Sequence, residues 1–293
     1  MTMTRVAIIA DIHANLPALE AVETDLGMQN IDEVLVAGDL VGRGPQGRAV
    51  VSRVAERDWR TIRGNHEDYV LSFRRHDVPS NWLEAREWAA SRWMAAELDE
   101  DSVAFLDALP FSCTSALAPQ IRIFHGSPRS YCEGLGKWTK DDILRGHLDS
   151  IDEPVLVCAH THRPLLKRLD EGLVVNVGSV GLPFNADWRA QYAILTVDES
   201  SGHIDVEFRQ VPYDREAFLE TYQTSGFLEE GGVTARLLFM EVEQARPFLV
   251  PFLKWIEALE VEAVQEYLPE FLDAYDCTRP LSEFFGALRN AQP

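Results

Sequence analysis

Positive charge is what this sequence has least of: 27 Lys and Arg stand against 47 Asp and Glu, a net charge of −20 at pH 7. A sequence-independent grip on DNA or RNA depends on neutralising phosphates with cationic side chains, so no binding of a nucleic-acid duplex is expected. A small phosphorylated molecule stays compatible, because a bound metal can dominate the local field whatever the global charge. Long apolar runs are missing too, so no segment is expected to cross a membrane. A strand-like run, Val6-Ala7-Ile8-Ile9, begins close to the N-terminus and leaves no room for a cleavable leader. The four cysteines (Cys113, Cys132, Cys158, Cys277) form no CxxC or other paired spacing. That pattern suits a reduced, cytoplasmic protein in which each is a small apolar filler. No internal repeat or low-complexity stretch occurs.

What is present is an α/β alternation. At 293 residues the chain can hold one large domain, or one domain with an appendage. Apolar, β-branched runs recur at Val6–Ile9, Val34–Val36, Ile121–Phe124 and Val155–Val157, with a shorter one ending in Thr61-Ile62. Continuous runs of this kind suit strands buried on both faces. Between the first of them, Pro17 to Leu26 and Arg48 to Arg57 carry apolar residues at helical spacing, which implies parallel strands. Residues 68–110 read as a helical insertion. Asn81 and Glu84 resemble a capping box opening a helix with Trp82, Trp88 and Trp93, and a shorter helix runs from Asp101 to Leu109. The insertion either covers a sheet edge or shapes substrate entry.

Further strands are expected near residues 173–177, 192–197 and 204–208, close enough together for an antiparallel or mixed arrangement. The fold class is therefore α/β, a two-sheet β-sandwich flanked by helices, over residues 1–213. Residues 214–293 form an acidic helical extension whose Phe248, Phe252 and Ile256 share an apolar face. That face is expected against the core or against a second copy. The glycine-rich stretch from Asn176 to Gly181 reads as a turn rather than a phosphate cradle.

Five loops carry the chemistry, each following a strand: Asp11-Ile12-His13, Gly38-Asp39, Gly64-Asn65-His66-Glu67, His125-Gly126 and His160-Thr161-His162. Five of the eight histidines fall in these loops, while His76, His147 and His203 look ordinary. Each pair alone has a bland reading as a turn, a cap or a half-buried imidazole. Asp11 and His13, like His160 and His162, are two apart, so in extended backbone both members would point the same way. In an open α/β sheet, ligands bind where strands end at their carboxyl side. Two Asp, one Asn and several His at one crevice read as a metal site. Seven nitrogen and oxygen donors are too many for one four-coordinate zinc ion and suit two ions sharing a carboxylate. Without a thiolate, Mn, Fe, Zn and Ni all stay open. Two ions roughly 3.5–4 Å apart can clamp a phosphoryl group and deprotonate a bridging water.

The ordered set of five motifs resembles the calcineurin-like metallophosphoesterase superfamily, in particular its bacterial phosphodiesterase and dinucleoside-tetraphosphatase branch. The resemblance covers residues 5 to about 210. It implies one metal held by Asp11, His13, Asp39 and His162, and a second held by Asp39, Asn65, His125 and His160, with Asp39 bridging. It also implies that His66 binds no metal but faces the leaving group, and that Arg43 grips phosphate oxygens. Two positions depart from the pattern: Gly42 stands where the related phosphatases carry an Asp that orients that histidine, and Ala159 replaces the Gly before His-Thr-His. The function so implied is hydrolysis of a small phosphodiester, nucleotide or dinucleoside polyphosphate by a metal-bridging hydroxide. The alternative is a metal-free scaffold of the same fold that binds proteins, acting through its acidic tail. That class normally shows eroded ligands, and none of the seven is eroded here.

Overall fold

The computed structural model describes residues 3–291. The first half alternates β1 (Met3–Ile9), α1 (Leu16–Leu26), β2 (Glu33–Val36), α2 (Gly47–Glu56) and the short β3 (Arg60–Thr61). The insertion follows, with α3 (Asn65–Arg74), 3-10 turns at Ser80–Leu83 and Arg86–Trp88, α4 (Ala89–Glu97) and α5 (Glu100–Asp107). Then come β4 (Ser112–Thr114), β5 (Ile121–Phe124), α6 (Asp141–Leu148), β6 (Val155–Cys158), β7 (Leu165–Arg168), β8 (Leu173–Asn176), β9 (Ala190–Asp198) and β10 (Ile204–Val211). The chain ends in α7 (Arg215–Thr224), α8 (Phe227–Glu230), α9 (Gly232–Gln244), α10 (Leu249–Leu259), α11 (Leu268–Ala274) and α12 (Leu281–Ala291).

Two five-stranded mixed sheets result, ordered β10-β9-β1-β2-β3 and β4-β5-β6-β8-β7. In the first, β1 runs parallel to β2 and antiparallel to β9; in the second, β6 runs parallel to both β5 and β8. The continuous apolar runs have the expected cause. Val6 and Ile8 join Ile121, Ile123, Val155 and Val157 between the sheets, while Ala7 and Ile9 pack with α1 and α2 on the outer face. Side chains alternate across a strand, so a strand covered on both faces must be apolar throughout. On the far side α6 closes the second sheet with Leu144 and Leu148 over Leu156 and Val174.

The insertion departs from the expected long helix. Ser80–Leu83 and Arg86–Trp88 are separate 3-10 turns, Asn81 makes no capping contact, and Trp82 stacks on Trp88 with centroids 3.9 Å apart. The aromatic stack holds the chain in a bend that a continuous helix would forbid. Within the insertion, a side-chain N-cap occurs at α5, where Asp99 accepts from the Ser102 amide at 2.9 Å.

From residue 214 on, two packings occur. Phe218, Tyr222, Phe227, Leu238 and Phe239 belong to the core that covers the first sheet, and Trp93 of the insertion packs on Phe227. Phe248, Phe252, Trp255, Ile256, Phe271 and Tyr275 make a further cluster among the last helices. The apolar face expected on Phe248, Phe252 and Ile256 is thus buried within the chain.

Candidate metal centre

The carboxyl ends of β1, β2, β3, β5 and β6 meet along one edge of the two sheets. Backbone bonds lock the first two loops together: the Asp11 amide donates to the Gly38 carbonyl at 3.0 Å, His13 to Asp39 at 3.0 Å and Ala14 to Leu40 at 2.8 Å. Asp11, His13, Asp39, His160 and His162 all have φ between 50° and 63°. The side chains converge, but not by way of extended backbone: the loops are left-handed turns. Non-glycine residues pay for that conformation, typically about 1–3 kcal/mol each, and it persists where the surroundings over-determine it. Gly38 and Gly64 make the packing possible, since a Cβ on Gly64 would lie 2.2 Å from Asp39 Oδ1.

All seven expected ligands are gathered. Asp39 Oδ2 lies 3.6 Å from His13 Nε2 on one side and 3.3 Å from His125 Nε2 on the other. Its Oδ1 is held by the His66 amide at 2.9 Å. Asp11 accepts from the His160 amide through Oδ2 at 3.1 Å, while Oδ1 points at His162 Nε2 at 3.7 Å. Asn65 Oδ1 lies 3.0 Å from His125 Nε2 and 2.9 Å from His160 Nδ1. The trios Asp11–His13–His162 and Asp39–His125–His160 each bring ligand atoms within 4.8 Å of one another. His66 comes within the same range of Asp39 and His13, so proximity alone does not separate it from the ligands. Its Nε2 is engaged differently, by Arg43 Nε at 3.2 Å.

The donor set fits cations. His13, His125 and His162 donate Nδ1–H to the carbonyls of Val41 at 3.2 Å, Ala37 at 2.8 Å and Leu182 at 2.5 Å. Each ring is thereby fixed with Nε2 facing the crevice, the usual outer support of a metal-ligating histidine. His13 Nε2 and His162 Nε2 then face each other at 3.0 Å as lone pairs. Asp11 Oδ1 is buried without a hydrogen-bond donor. Acceptors converging on acceptors in a dry site are unfavourable unless a positive charge sits among them.

Four of the imidazoles are held neutral by burial. Burial lowers His13 to about 3 and His160 to about 4, and pushes His162 and His66 well below the usual range. At neutral pH these rings keep free lone pairs. Burial would lower His125 as well, but Asp39 beside it raises it to about 10. Burial would raise Asp39, yet His125 and the other histidines hold it well below the carboxylate range. Asp11 is pushed well up, mainly by burial.

Several residues that the sequence reading gave no part in the site support it. Glu67, fully buried, accepts backbone N–H from Gly64 at 2.7 Å, Asp39 at 2.9 Å and Leu40 at 2.8 Å, so it pins two ligand loops. The stretch from Asn176 is no phosphate cradle: Asn176 Nδ2 donates to Ala159 O at 2.6 Å and Ser179 Oγ to Asp11 O at 2.8 Å. It is a platform beneath two ligand loops.

At the open side, the His66 ring lies over Gly42. A Cβ there would meet His66 Nδ1 at 2.3 Å, so the ring occupies the space an Asp side chain would need. Arg43 sits in the left-handed region at φ 64°, its guanidinium 5.8 Å from the Phe184 ring, which stacks on His162 at 4.4 Å.

Comparison with known proteins agrees with this geometry. Residues 4–200 match the family described as the calcineurin-like phosphoesterase superfamily domain. The chain is 28% identical over 233 residues to the uncharacterized protein MJ0912 of Methanocaldococcus jannaschii, covering 73% of this chain and 90% of that protein. The crystal structure of a metallophosphoesterase from Sphaerobacter thermophilus superposes with a TM-score of 0.65 at 26% identity, over 83% of this chain and 99% of that one. The hypothetical protein PH1004 from Pyrococcus horikoshii OT3 has the same fold, with a TM-score of 0.68 at 20% identity over 84% and 100% of the two chains.

Proposed function

The chain belongs to the calcineurin-like phosphoesterase superfamily, and we propose on that premise that it is a dimetal phosphoric ester hydrolase acting on a small phosphodiester, nucleotide or dinucleoside polyphosphate. One observation carries the reading: Asp39 Oδ2 stands between His13 Nε2 and His125 Nε2 while its Oδ1 is tied to the His66 amide. A carboxylate so held has one oxygen to share between two cations and cannot swing away from either. Asp11, His13, Asp39 and His162 would hold one ion; Asp39, Asn65, His125 and His160 the other. Bound there, a metal pair supplies Lewis-acid polarisation of phosphoryl oxygens and lowers the pKa of a coordinated water.

The chain's own residues do the rest. The left-handed loops, pinned by Glu67, Asn176 and Ser179, fix the ligands before substrate arrives. Arg43 offers the guanidinium at the open side of an otherwise acidic protein and serves the phosphate oxygens. His66 stands beside it, where a departing oxygen would leave. Its Nε2 accepts from Arg43 in this structure, so the neutral imidazole carries its proton on Nδ1 and can offer that N–H as a hydrogen bond to the departing oxygen.

The test is metal content of the purified protein, followed by a phosphate-ester panel. Asp39→Ala should lose both ions together, with hydrolysis falling by about 10³-fold or more, since the one oxygen that would serve both ions is gone. A variant that kept its metal and its rate would end the dimetal reading.

A further inference from the structure

The residue that orients Arg43 comes from the C-terminal helices. Glu241, on α9, is fully buried, and its Oε2 accepts from Arg43 Nη1 at 2.8 Å. Its Oε1 accepts the Phe248 amide at 2.7 Å and the Leu249 amide at 2.9 Å, at the start of α10. A carboxylate in that position is favoured by the helix N-terminus and cannot rotate without breaking two bonds. The extension also holds Arg43 by its backbone, because Tyr222 Oη on α7 donates to the Arg43 carbonyl at 2.6 Å. Phe218, on the same helix, closes on Gly44: a Cβ there would lie 2.9 Å from its ring. Three helical residues therefore determine the conformation of the Gly42-Arg43-Gly44 loop.

That support has a function because of Gly42. A side chain at position 42 would collide with the His66 ring, so nothing on that loop can orient the imidazole except Arg43. Arg43 Nε does so at 3.2 Å. With Nε committed to His66 and Nη1 to Glu241, Nη2 is left with both of its N–H groups to meet substrate without breaking either contact. A guanidinium is planar, so fixing two of its nitrogens fixes the third.

We propose that Glu241 is the positioning residue of this site: through Arg43 it sets the place of His66 and of the phosphate contact, standing in for the acidic side chain absent at Gly42. The helical extension is on this account part of the active site. The proposal rests on the phosphoesterase reading for its kinetic arm only.

The test compares Glu241→Gln, Arg43→Ala and the two combined, in the full chain. Glutamine keeps an oxygen for the two amides of α10, so folding should survive; Glu241→Asp, read the same way, serves if it does not. The first readout is the Arg43 Nε–H resonance, assigned with Arg43→Lys. It should be sharp and exchange-protected in the wild type and broaden in Glu241→Gln. The second is hydrolysis by the manganese-loaded protein. Loss of positioning should lower kcat on an alkyl or nucleoside ester on the order of 10–100-fold, with less effect on a nitrophenyl ester. In the Arg43→Ala background the Gln substitution should add nothing, since its target is gone. An unchanged Arg43 resonance in Glu241→Gln would overturn the proposal. So would a kinetic loss that repeats in full on top of Arg43→Ala, which is what a merely structural role gives. A wild type inactive on every ester would overturn the phosphoesterase reading instead, and the resonance would still decide whether Glu241 positions Arg43.

Discussion

Arg43 Nε lies 3.2 Å from His66 Nε2 and its Nη1 lies 2.8 Å from Glu241 Oε2, so one guanidinium joins the imidazole to a buried carboxylate. Replacing Arg43 therefore has two consequences of different origin. On the proposed reading a bound phosphate would lose the Arg43 guanidinium, which should raise KM while metal content stays normal. Glu241 also loses its ion partner in the interior, where breaking a buried pair costs about 3–5 kcal/mol, softened here by the two amides that remain bonded. Arg43→Ala should thus show weaker substrate binding together with a lower melting temperature. An unchanged KM across several esters would return Arg43 to a purely structural role.

A second buried ion pair lies well away from the ligand loops and gives a pH prediction. Asp25 accepts from Arg209 Nη2 at 2.7 Å, Arg209 Nε at 3.1 Å and Tyr192 Oη at 2.6 Å. Burial would raise its carboxyl, but these donors outweigh it and hold the pKa below its ordinary 3.8. A depressed folded pKa means stability present above the unfolded pKa and lost as pH falls through the folded one. Asp25→Asn should cost about 1–3 kcal/mol at pH 7. The gap to wild type should begin to narrow near about pH 4, the unfolded carboxylate's pKa, and close only as pH falls through the lower folded value. Denaturant titrations of both proteins at pH 7 and pH 3 decide it; a gap that stays constant between them would refute the ion-pair account.

What the sequence could and could not disclose follows from range. The strand runs were legible because both faces of Val6–Ile9 and Val155–Val157 are covered, which forces every residue to be apolar. The histidines at strand ends were legible as a group for the same reason: polar residues directly after such runs stand out. The backbone state of the loops was not. Alternation suggested extended Asp-x-His segments, whereas Asp11, His13, His160 and His162 are left-handed, a state set by the neighbouring loops. Edge strand β7 escaped because Leu165–Arg168 is partly exposed and mixes apolar with cationic residues. The Trp-bearing segment read as one helix because spacing cannot register the stack of Trp82 on Trp88. Glu241 was beyond any local pattern, being 198 residues from the arginine it binds.

Truncation should be graded rather than all-or-none. Cutting after residue 213 removes Phe218, Tyr222, Phe227, Leu238 and Phe239 from the core over the first sheet. Large aromatic or leucine truncations in a core cost about 2–5 kcal/mol each, so the shortened chain should aggregate. Cutting after residue 246 spares that core and strips only the cluster of Phe248, Phe252 and Phe271 from Val233 and Leu237. This longer product should stay folded with a lower melting temperature and a weaker hold on Arg43, since Glu241 loses its amide partners. Light scattering and thermal melts on the two products check the order. A soluble, fully active 1–213 fragment would show the helices to be dispensable.

The last prediction concerns His66. Its backbone amide is committed to Asp39 Oδ1 at 2.9 Å, and its ring is wedged between Gly42, His13 at 4.9 Å and Tyr69 at 5.5 Å. Removing the ring leaves that amide in place, so His66→Ala should keep its metal content. It should lose whatever the imidazole gives to the departing oxygen. General acid catalysis is worth about 10²–10⁴ in rate, and more as the leaving group becomes more basic. Hydrolysis of an alkyl or nucleoside ester should therefore collapse, while a nitrophenyl ester, whose leaving group needs little help, should lose far less. The Arg43 contact sharpens the expectation. Because Nε2 accepts from Arg43, the neutral ring keeps its proton on Nδ1 and can offer that N–H to the leaving oxygen while Arg43 holds its orientation. Arg43→Ala should then steepen the leaving-group dependence and raise KM together, whereas His66→Ala should steepen it with KM nearly unchanged. Equal losses on both esters in His66→Ala, or loss of metal, would remove His66 from the acid role.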